Sequence, residues 1–513
     1  MSGSKGARKE RGKPRGEIGD VAHAVLTESL EQNVTQIQEM FHNNETLVTR
    51  WIENLSDHDI RCCILYTDGM VDNVVVNENI VRPLQKAVLK KSRGNLLGLL
   101  ESSVLQANDI KRTDSLDDIT QAIVYGDSVL FADGYAEALI LNSKGFRIRG
   151  ISEPESEKVL EGPREGFTES LLVNLSMLRR RVRTQDLKME YKTFGTRTKT
   201  KGCICYIDGI VKQSILDELN RRLDLFDLDG ALDASYIHEL IQDSPHSPFP
   251  TVGRTERPDV VTGKLLEGRI AIFLDGSPVI LTVPFLFIEN FQSGEDYYQD
   301  FYYGTFSRLL RILGFFITIA LPAIYTALVT FHHEMLPNAM LISLQTARHS
   351  VPFPTIVEAV GMIMIFQIVA ETGIRMPTGI GQALSIVGAL VIGQAAVEAK
   401  IVSAPMVIIV ALTGITGLTI PKLKTANISL RFFLLFLSGL FGLYGFMLGL
   451  LMIVVHLLSI QCFGVSYMPY VTTHDFQKIK DIAIRAPWWK MIRRPRGVTD
   501  NQIRTTSDGK PKV

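Results

Sequence analysis

Residues 352–421 read PFPTIVEAVGMIMIFQIVAETGIRMPTGIGQALSIVGALVIGQAAVEAKIVSAPMVIIVALTGITGLTIP. This stretch holds three apolar runs, 356–374, 380–399 and 404–420, which are broken by RMPTG and by KIVSAP. Each run approaches the roughly 20 residues with which a helix crosses a hydrocarbon core of about 30 Å. Because a membrane span must satisfy its backbone hydrogen bonds internally, runs of this length predict transmembrane helices.

The run at 380–399 is both small and polar, which is unusual for a helix that faces lipid. Small side chains let membrane helices approach closely, and van der Waals packing then holds the helices together. The run is therefore expected to face other protein in a tightly packed bundle, or to line water in a pore or substrate path. The predicted helix-packing residues are Gly381, Ser385, Gly388, Ala389 and Gly393.

One face of the same run combines apolar and polar side chains. Spacings of four, three and four residues place side chains on one face of an α-helix. Two valines predict an apolar constriction there, and a Gln and a Glu predict a polar mouth that favours cations. Glu398 also suits a position at the lipid interface, since it lies near the end of the run. The candidate pore-lining residues are Val387, Val391, Gln394 and Glu398, with Gln367 of the preceding run as a further candidate.

The composition divides the chain into a soluble half and a membrane half. Its 513 residues carry 54 basic and 54 acidic side chains, so no overall charge favours nucleic acid as a partner. The five cysteines show neither zinc spacing nor a CxxC pair, which favours buried reduced thiols. The sequence shows no nucleophile paired with a base, no phosphate loop and no metal-ligand cluster, and it therefore predicts neither an enzyme nor a cofactor.

The soluble half carries an internal repeat. CCILYTDGMVDNVV at 62–75 resembles CICYIDGIVKQSIL at 203–216, and SVLFADGYAEALIL at 128–141 resembles RIAIFLDGSPVILTV at 269–283. The Asp-Gly pairs in the matched segments are 140 and 142 residues apart. Two matched pairs at nearly one offset predict a duplication. Tight turns explain the four Asp-Gly pairs better than metal or phosphate sites do, since Gly supplies positive φ.

The charges around the apolar runs indicate the topology. Arg308 and Arg311 precede the first run, 312–331, and place its start on the cytoplasmic side. The tail after the fifth run, 432–458, is basic and aromatic, which favours a cytoplasmic carboxyl terminus. The amino-terminal part lacks the apolar core of a signal peptide, so it is also expected in the cytoplasm. Two cytoplasmic termini require an even number of crossings, so either the fifth run is a hairpin or the second is partly re-entrant.

Together these patterns predict an α/β soluble N-terminal region of two duplicated subdomains, followed by an all-α multi-pass transmembrane domain. The expected divisions are a disordered basic tail at 1–25, soluble α/β subdomains at 26–155 and 156–300, a transmembrane helical domain at 301–475, and a basic interfacial cytoplasmic tail at 476–513.

Several long strings resemble the A subunit of nutrient germinant receptors, the GerA family of spore-forming bacteria. They are GPREGFTES, SPFPTVGRTERPDVV, LLEGRIAIFLDGSPVILTVP, EDYYQDFYYGTFSRLLR and GIGQALSIVGALVIGQAAVEAKIVSAPMVIIVALTGITG. The resemblance covers roughly residues 30–475. Relatives often place acidic residues in the second run, where this chain has Ile363 and Gln367.

The resemblance implies a role and a set of partners. Proteins of this kind are located in the inner membrane of the dormant spore, beside a transporter-like B subunit that senses the nutrient and a lipoprotein C subunit. The A subunit is a proposed oligomeric, nutrient-gated cation channel. The alternatives are a non-conducting scaffold or signalling subunit and a secondary transporter. A transporter often shows repeats in its membrane half, whereas the repeat here lies in the soluble half.

Overall fold

A computed structural model describes residues 26–89, 96–107, 109–145, 153–154, 157–375, 391–469, 481–495, 497–501 and 503–504. The chain forms two compact units. The first comprises residues 1–147 with 183–185, and the second comprises residues 148–182 with 186–513.

The first unit is built on a five-stranded antiparallel sheet of order β1-β2-β4-β5-β3. Alternate residues of β2 face opposite sides, so that Cys63 and Leu65 pack with α1 and α4 while Cys62 and Ile64 pack with the residues around α2 and α3. The strands are β1 (Leu47–Glu53), β2 (Arg61–Thr67), β3 (Ile110–Thr113), β4 (Ser128–Ala132) and β5 (Ala138–Leu141). The helices are α1 (Leu30–Met40), α2 (Arg82–Lys86), α3 (Leu96–Leu99) and α4 (Leu116–Tyr125), with π-helical turns at Val75–Val81 and Leu100–Val104.

The second unit begins with a second sheet of order β6-β7-β9-β10-β8, again antiparallel throughout. Helices cover both of its faces, which gives the same three-layer arrangement as in the first unit. The strands are β6 (Leu187–Phe194), β7 (Thr200–Ile207), β8 (Gly253–Thr255), β9 (Ile270–Leu274) and β10 (Ile280–Val283). The helices are α5 (Leu171–Arg181), α6 (Gln213–Asp224), α7 (Ala234–Ile241) and α8 (Pro258–Leu266).

The two strand orders are identical position by position, so the predicted duplication is confirmed. The register is also preserved, since Cys63 pairs with Phe131 in the first sheet and Cys203 pairs with Phe273 in the second. All four Asp-Gly glycines have a positive φ between 72° and 86°. The turn after each of these strands requires a residue in the left-handed conformation, and glycine adopts that conformation without strain.

The membrane region consists of helices of unequal length. Among the described residues, three stretches are long and apolar enough to cross a membrane, at 301–330, 355–373 and 421–459, and a further apolar helix, Ala404–Leu418, is shorter. The helices are α9 (Phe301–Thr330), α10 (Asn338–Arg348), α11 (Thr355–Arg375), α12 (391–398), α13 (Ala404–Leu418) and α14 (Lys424–Ser459).

Helix α14 folds back on itself at Gly442, which has a non-helical φ of 62° and ψ of −143°. A Cβ on Gly449 would lie 2.8 Å from Leu434 Cδ2. In a straight helix these two positions are separated by about 22 Å. The two arms of α14, before and after Gly442, therefore lie side by side. The fifth apolar run is thus a hairpin.

The ends of the hairpin confirm this path. At its start, Lys422 donates to the carbonyl of Gln292 at 3.3 Å, and at its finish the ring of His456 lies 2.9 Å from the hydroxyl of Ser247. Both partners belong to the second soluble subdomain, so the chain leaves it and returns to it. A short hairpin, β11 (Gln461–Cys462) and β12 (Val465–Ser466), then packs into that subdomain's core.

Candidate functional site

The described part of the predicted pore run, 380–399, is helix α12. In a single copy of the chain, much of this helix is exposed. Val391 is 55% exposed, and Gln394 and Glu398 are exposed as well. Gly393 faces the other way, where a Cβ would lie 3.5 Å from Val407 of α13. The structure thus brings three of the candidate pore residues onto one open stretch of helix.

The other candidates are placed elsewhere. Gln367 lies half-buried on a different helix, α11. The remaining predicted residues lie outside the described part of the chain, and their roles stay predictions. These are Val387, Gly381, Ser385, Gly388 and Ala389.

At the start of α9 lies a group of buried charges, here called the ionic joint, formed by Asp296, Arg308, Arg311 and Asp481. Arg308 is 0% exposed, and its guanidinium lies 3.2 Å from Asp296 and 2.8 Å from the Asp481 carboxylate. The second arginine, Arg311, binds the other oxygen of Asp296 and donates to the carbonyl of Phe291 at 2.6 Å. Buried charges are tolerated only when they are paired in this way.

The carboxyl-terminal segment is held to the same place through Asp481. Tyr297 donates its hydroxyl to the Asp481 carboxylate at 2.7 Å, and Gln292 donates to the Asp481 carbonyl at 2.8 Å. Burial raises the pKa of Asp481, and Arg308 opposes that rise. Burial, with the Asp481 charge, also raises the pKa of Tyr297 well above its ordinary value. Tyr297 therefore stays protonated and serves as a hydrogen-bond donor.

A second buried ionic group surrounds Glu289, in the short 3₁₀ turn Phe287–Asn290 that precedes Asp296 in the sequence. Its carboxylate binds Arg269, which follows α8, and Lys264 within α8. Burial acts to raise the pKa of Glu289, but Arg269 and Lys264 hold it below its ordinary value. The turn that leads into α9 is thus fixed to the second sheet by charge on one side and to the ionic joint on the other.

An aromatic layer fills the space between these two groups and the membrane helices. The rings of Phe287 and Phe291 and the ring of Phe315, which belongs to α9, lie in edge-to-face pairs with centroids 5.3–6.2 Å apart. Tyr467, which follows the hairpin, joins them and donates to the carbonyl of Pro250 at 2.8 Å. Such closely packed rings transmit displacement, since packed interiors resist compression.

At the opposite end of the membrane helices, Glu358 of α11 is only 2% exposed. It accepts hydrogen bonds from the backbone and hydroxyl of Ser403, which precedes α13 and follows the pore run. Arg348 of α10 lies 3.9 Å away. Glu358 thus lies inside the bundle, where it connects α11 with α10 and with the start of α13.

The cysteines and the possible metal ligands can be located among the described residues. All five cysteines are buried and free, as the sequence predicts. Burial raises the pKa of Cys62 to about 12, which leaves the thiol protonated and unreactive. Among the described residues, no group of three or more His, Cys, Asp or Glu side chains is arranged to hold a metal ion.

The sequence reasoning missed the ionic joint, although its components were visible as charges beside an apolar run. Arg308 and Arg311 were assigned to the positive-inside bias alone. Asp481 lies 173 residues further along the chain, and no local pattern connects it with Arg308. An acid among the basic residues of the tail was the one available signal.

These features define a membrane protein in which the second of two duplicated soluble subdomains is joined to a helical bundle by buried ion pairs. The chain belongs to the GerA family, because residues 35–497 match the family model described as Bacillus/Clostridium GerA spore germination protein.

Among similar proteins, "Spore germination protein KA" of Bacillus subtilis (strain 168) is 40% identical over 95% of this chain and 90% of its own length. "Spore germination protein B1" of the same organism is 35% identical over 92% of this chain and 97% of its own length. A crystal structure of the N-terminal domain of the A subunit of the Bacillus megaterium spore germinant receptor GerK3 is 33% identical, with a TM-score of 0.41. It covers 52% of this chain and 98% of that chain.

Proposed function

We propose that the protein is the membrane subunit of a nutrient germinant receptor that triggers spore germination, and that it acts as an oligomeric, nutrient-gated cation channel. Membership of the GerA family over residues 35–497 supports the receptor role, as do relatives named as spore germination proteins. The same membership supports a place in the spore inner membrane and work with a transporter-like B subunit and a lipoprotein C subunit.

The observation that carries the channel proposal is the open face of α12. A carboxylate and an amide within a membrane run are costly against lipid, by roughly 2.5–3.5 kcal/mol for a charge at the bilayer centre. Gln394 and Glu398 nevertheless lie exposed beside Val391. Copies of the chain arranged around an axis would turn this face to water and cover its flanks. The valines would then form the apolar constriction, and the polar residues its mouth.

The ion pairs of Glu289 and the aromatic layer support a route from the second soluble subdomain to the pore. A rotation of the second sheet would move the turn around Glu289, and the aromatic layer would pass that movement to α9. Helix α9 packs on α13 through Thr318 and Thr416, whose hydroxyls lie 2.9 Å apart. Helix α13 in turn packs on α12 through Val407. A contiguous set of contacts thus leads from the sheet to the pore run.

The hairpin of α14 supports the proposed topology. Its two ends return to the second soluble subdomain, so five apolar runs provide an even number of crossings. We propose on this basis that both termini are cytoplasmic. The divisions at 26–155, 156–300, 301–475 and 476–513 remain our proposal for the domain organisation.

The test is ion release by spores that carry single substitutions. Val391→Ala is expected to widen the constriction and to leak potassium without nutrient, because a smaller side chain weakens dewetting. Ile392→Ala is the matched control, since it truncates an exposed aliphatic residue on the same helix at the next position. A leak with Val391→Ala alone supports the channel.

Two results would overturn the proposal. If Val391→Ala and Ile392→Ala behave alike, α12 is not the pore helix. If reconstituted receptor containing wild-type protein passes no cations when nutrient is supplied, the chain is a scaffold or signalling subunit. Gly388→Leu adds a check on assembly, because a large side chain in the small stripe is expected to prevent oligomer formation.

A further inference from the structure

A buried arginine without a partner lies among the membrane helices, on the first arm of α14. Arg431 is 5% exposed, and its Nε has no hydrogen-bond partner. One turn earlier, Asn427 is 2% exposed, and neither its amide nitrogen nor its carbonyl oxygen has a partner. Buried polar groups are normally satisfied, and a buried charge is the costliest to leave unpaired.

No acid in the membrane half is available to Arg431 in the described structure. Glu358 is bound by Ser403, Glu371 pairs with Lys424 at 3.3 Å, and Glu398 is exposed on α12. The sequence from 376 to 390 contains neither Asp nor Glu. Within the described part of the chain, the positive charge is therefore left without a counter-ion.

The guanidinium lies beside Gly417, near the end of α13. A Cβ on Gly417 would lie 3.4 Å from Thr318 Cγ2, 3.6 Å from Arg431 Nη2 and 3.8 Å from the hydroxyl of Thr318, so glycine at this position lets the guanidinium lie close to α13. The end of α13 lies here, and its dipole favours a cation. The carbonyls of Thr416 and Gly417 nevertheless accept from Thr419 and Ile420, and not from Arg431.

The position of this cluster along the bundle indicates its ligand. Arg431 follows Lys424 by seven residues, or about 10 Å of helix. Its side chain tilts back toward the start of the arm, as helical side chains do. That start is marked by Lys422 and Lys424, beside the soluble subdomain, which is the level of lipid headgroups. Basic pockets between helices at this level bind phosphate headgroups.

We propose that Arg431 and Asn427 form a site for the phosphate of an anionic phospholipid headgroup. The flat guanidinium offers two parallel N–H donors to phosphate oxygens. Asn427 adds a donor through its amide nitrogen, and its carbonyl oxygen accepts from a headgroup hydroxyl. A headgroup that carries both phosphate and hydroxyl, as phosphatidylglycerol does, satisfies every unpaired atom.

The test uses the full-length chain purified from membranes of equal phosphatidylglycerol and phosphatidylcholine content. Lipid retained after extensive detergent washing is measured by mass spectrometry. Wild type is expected to retain phosphatidylglycerol, and Arg431→Gln is expected to retain about tenfold less, the factor for one lost charged contact. Lys424→Gln is the control, because it removes an exposed positive charge from the same helix that already pairs with Glu371, and it is expected to leave retention unchanged.

A second variant keeps the test valid if Arg431→Gln does not fold. Asn427→Asp places a carboxylate four residues before Arg431, a spacing that favours an ion pair on a helix. The new acid is expected to occupy the guanidinium, to displace the lipid and to raise the thermal unfolding temperature in lipid-free detergent. This combination of lower retention and higher stability is specific to a vacant anion site.

Added inorganic phosphate distinguishes the source of the phosphate group. If it displaces phosphatidylglycerol only weakly, the ligand is the lipid; if millimolar phosphate displaces it fully, the site takes a soluble phosphate. Equal retention of phosphatidylglycerol by wild type and both Arg431→Gln and Asn427→Asp would overturn the proposal. Equal retention of phosphatidylcholine and phosphatidylglycerol by wild type would do the same. None of these results depends on whether the chain conducts ions.

Discussion

The two soluble subdomains have the same strand order and the same turns, yet they bury charge very differently. In the first, Arg61 pairs with Glu31 and Asp133 at 3.5–3.6 Å, and all three side chains keep a substantial exposed surface. In the second, Arg269 and Glu289 pair in the interior. Exposed pairs add little to stability, whereas breaking a buried pair leaves an unpaired charge.

This difference follows from what the second subdomain has to hold. Its last turn leads directly into α9, and its ion pairs fix the direction in which that helix leaves. A buried pair is a weak source of stability but a strong constraint on geometry, since few arrangements satisfy both charges. The duplicated fold therefore provides the frame, and the buried charges adapt one copy to the membrane helices.

The largest expected effect comes from breaking the ionic joint. Arg308→Met leaves Asp481 without its buried ion partner and Asp296 with Arg311 alone, and it is expected to cost about 3–5 kcal/mol of unfolding free energy. Arg61→Met, the exposed counterpart in the first subdomain, is expected to cost at most about 1 kcal/mol. Thermal unfolding of the full chain in detergent measures both. Similar shifts for the two variants would remove the contrast between the buried ion pairs at the start of α9 and the exposed pairs of the first subdomain.

The next prediction tests the shared features. Asn33 and Asn174 are both buried, and each exchanges two hydrogen bonds with the backbone of a threonine six residues earlier. Alanine at either position leaves that backbone unpaired and is expected to cost about 1–3 kcal/mol. Hydrogen exchange of the full chain, followed separately in each subdomain, measures the loss. Losses of stability that differ by more than twofold would show that the two subdomains no longer depend equally on this asparagine–threonine hydrogen bonding.

Smaller effects are expected at the turns. Gly134 and Gly276 are equivalent Asp-Gly glycines with positive φ, and a Cβ at either meets nothing within 4 Å. Alanine is therefore expected to cost about 1–2 kcal/mol at each from backbone strain alone. The control is Gly263 within α8, where a Cβ also meets nothing and alanine is expected to stabilise by up to about 1 kcal/mol. A loss of stability at Gly263 would contradict the conformational explanation.

The smallest effect concerns pH and the second subdomain. Burial, with the nearby Arg254, lowers the pKa of His238 in α7 to about 4. The unfolded chain binds the proton more readily, so stability is expected to fall as pH drops from about 6.5 towards 4. His238→Gln is expected to reduce this pH dependence, as followed by hydrogen exchange in α7. An unchanged pH profile would mean that other groups control it.

The sequence contained more evidence of duplication than the Asp-Gly pairs. The strings LTESLEQN at 26–33 and FTESLLVN at 167–174 also match, at an offset of 141 residues. The structure shows that the asparagine at the end of each string is the conserved feature of the pair, since it closes the loop before α1 and α5.

By itself the sequence determined the duplicated soluble half, the apolar runs and the turn positions. These are local properties, because side-chain periodicity and glycine's free φ act over a few residues. The hairpin of α14 was decided by tertiary structure, since four glycines in an apolar run permit either a tilt or a reversal. The bond between Arg308 and Asp481 and the unpaired state of Arg431 likewise depend on which distant segments meet. Contacts between such distant segments arise when the whole chain packs, and no local sequence pattern predicts them.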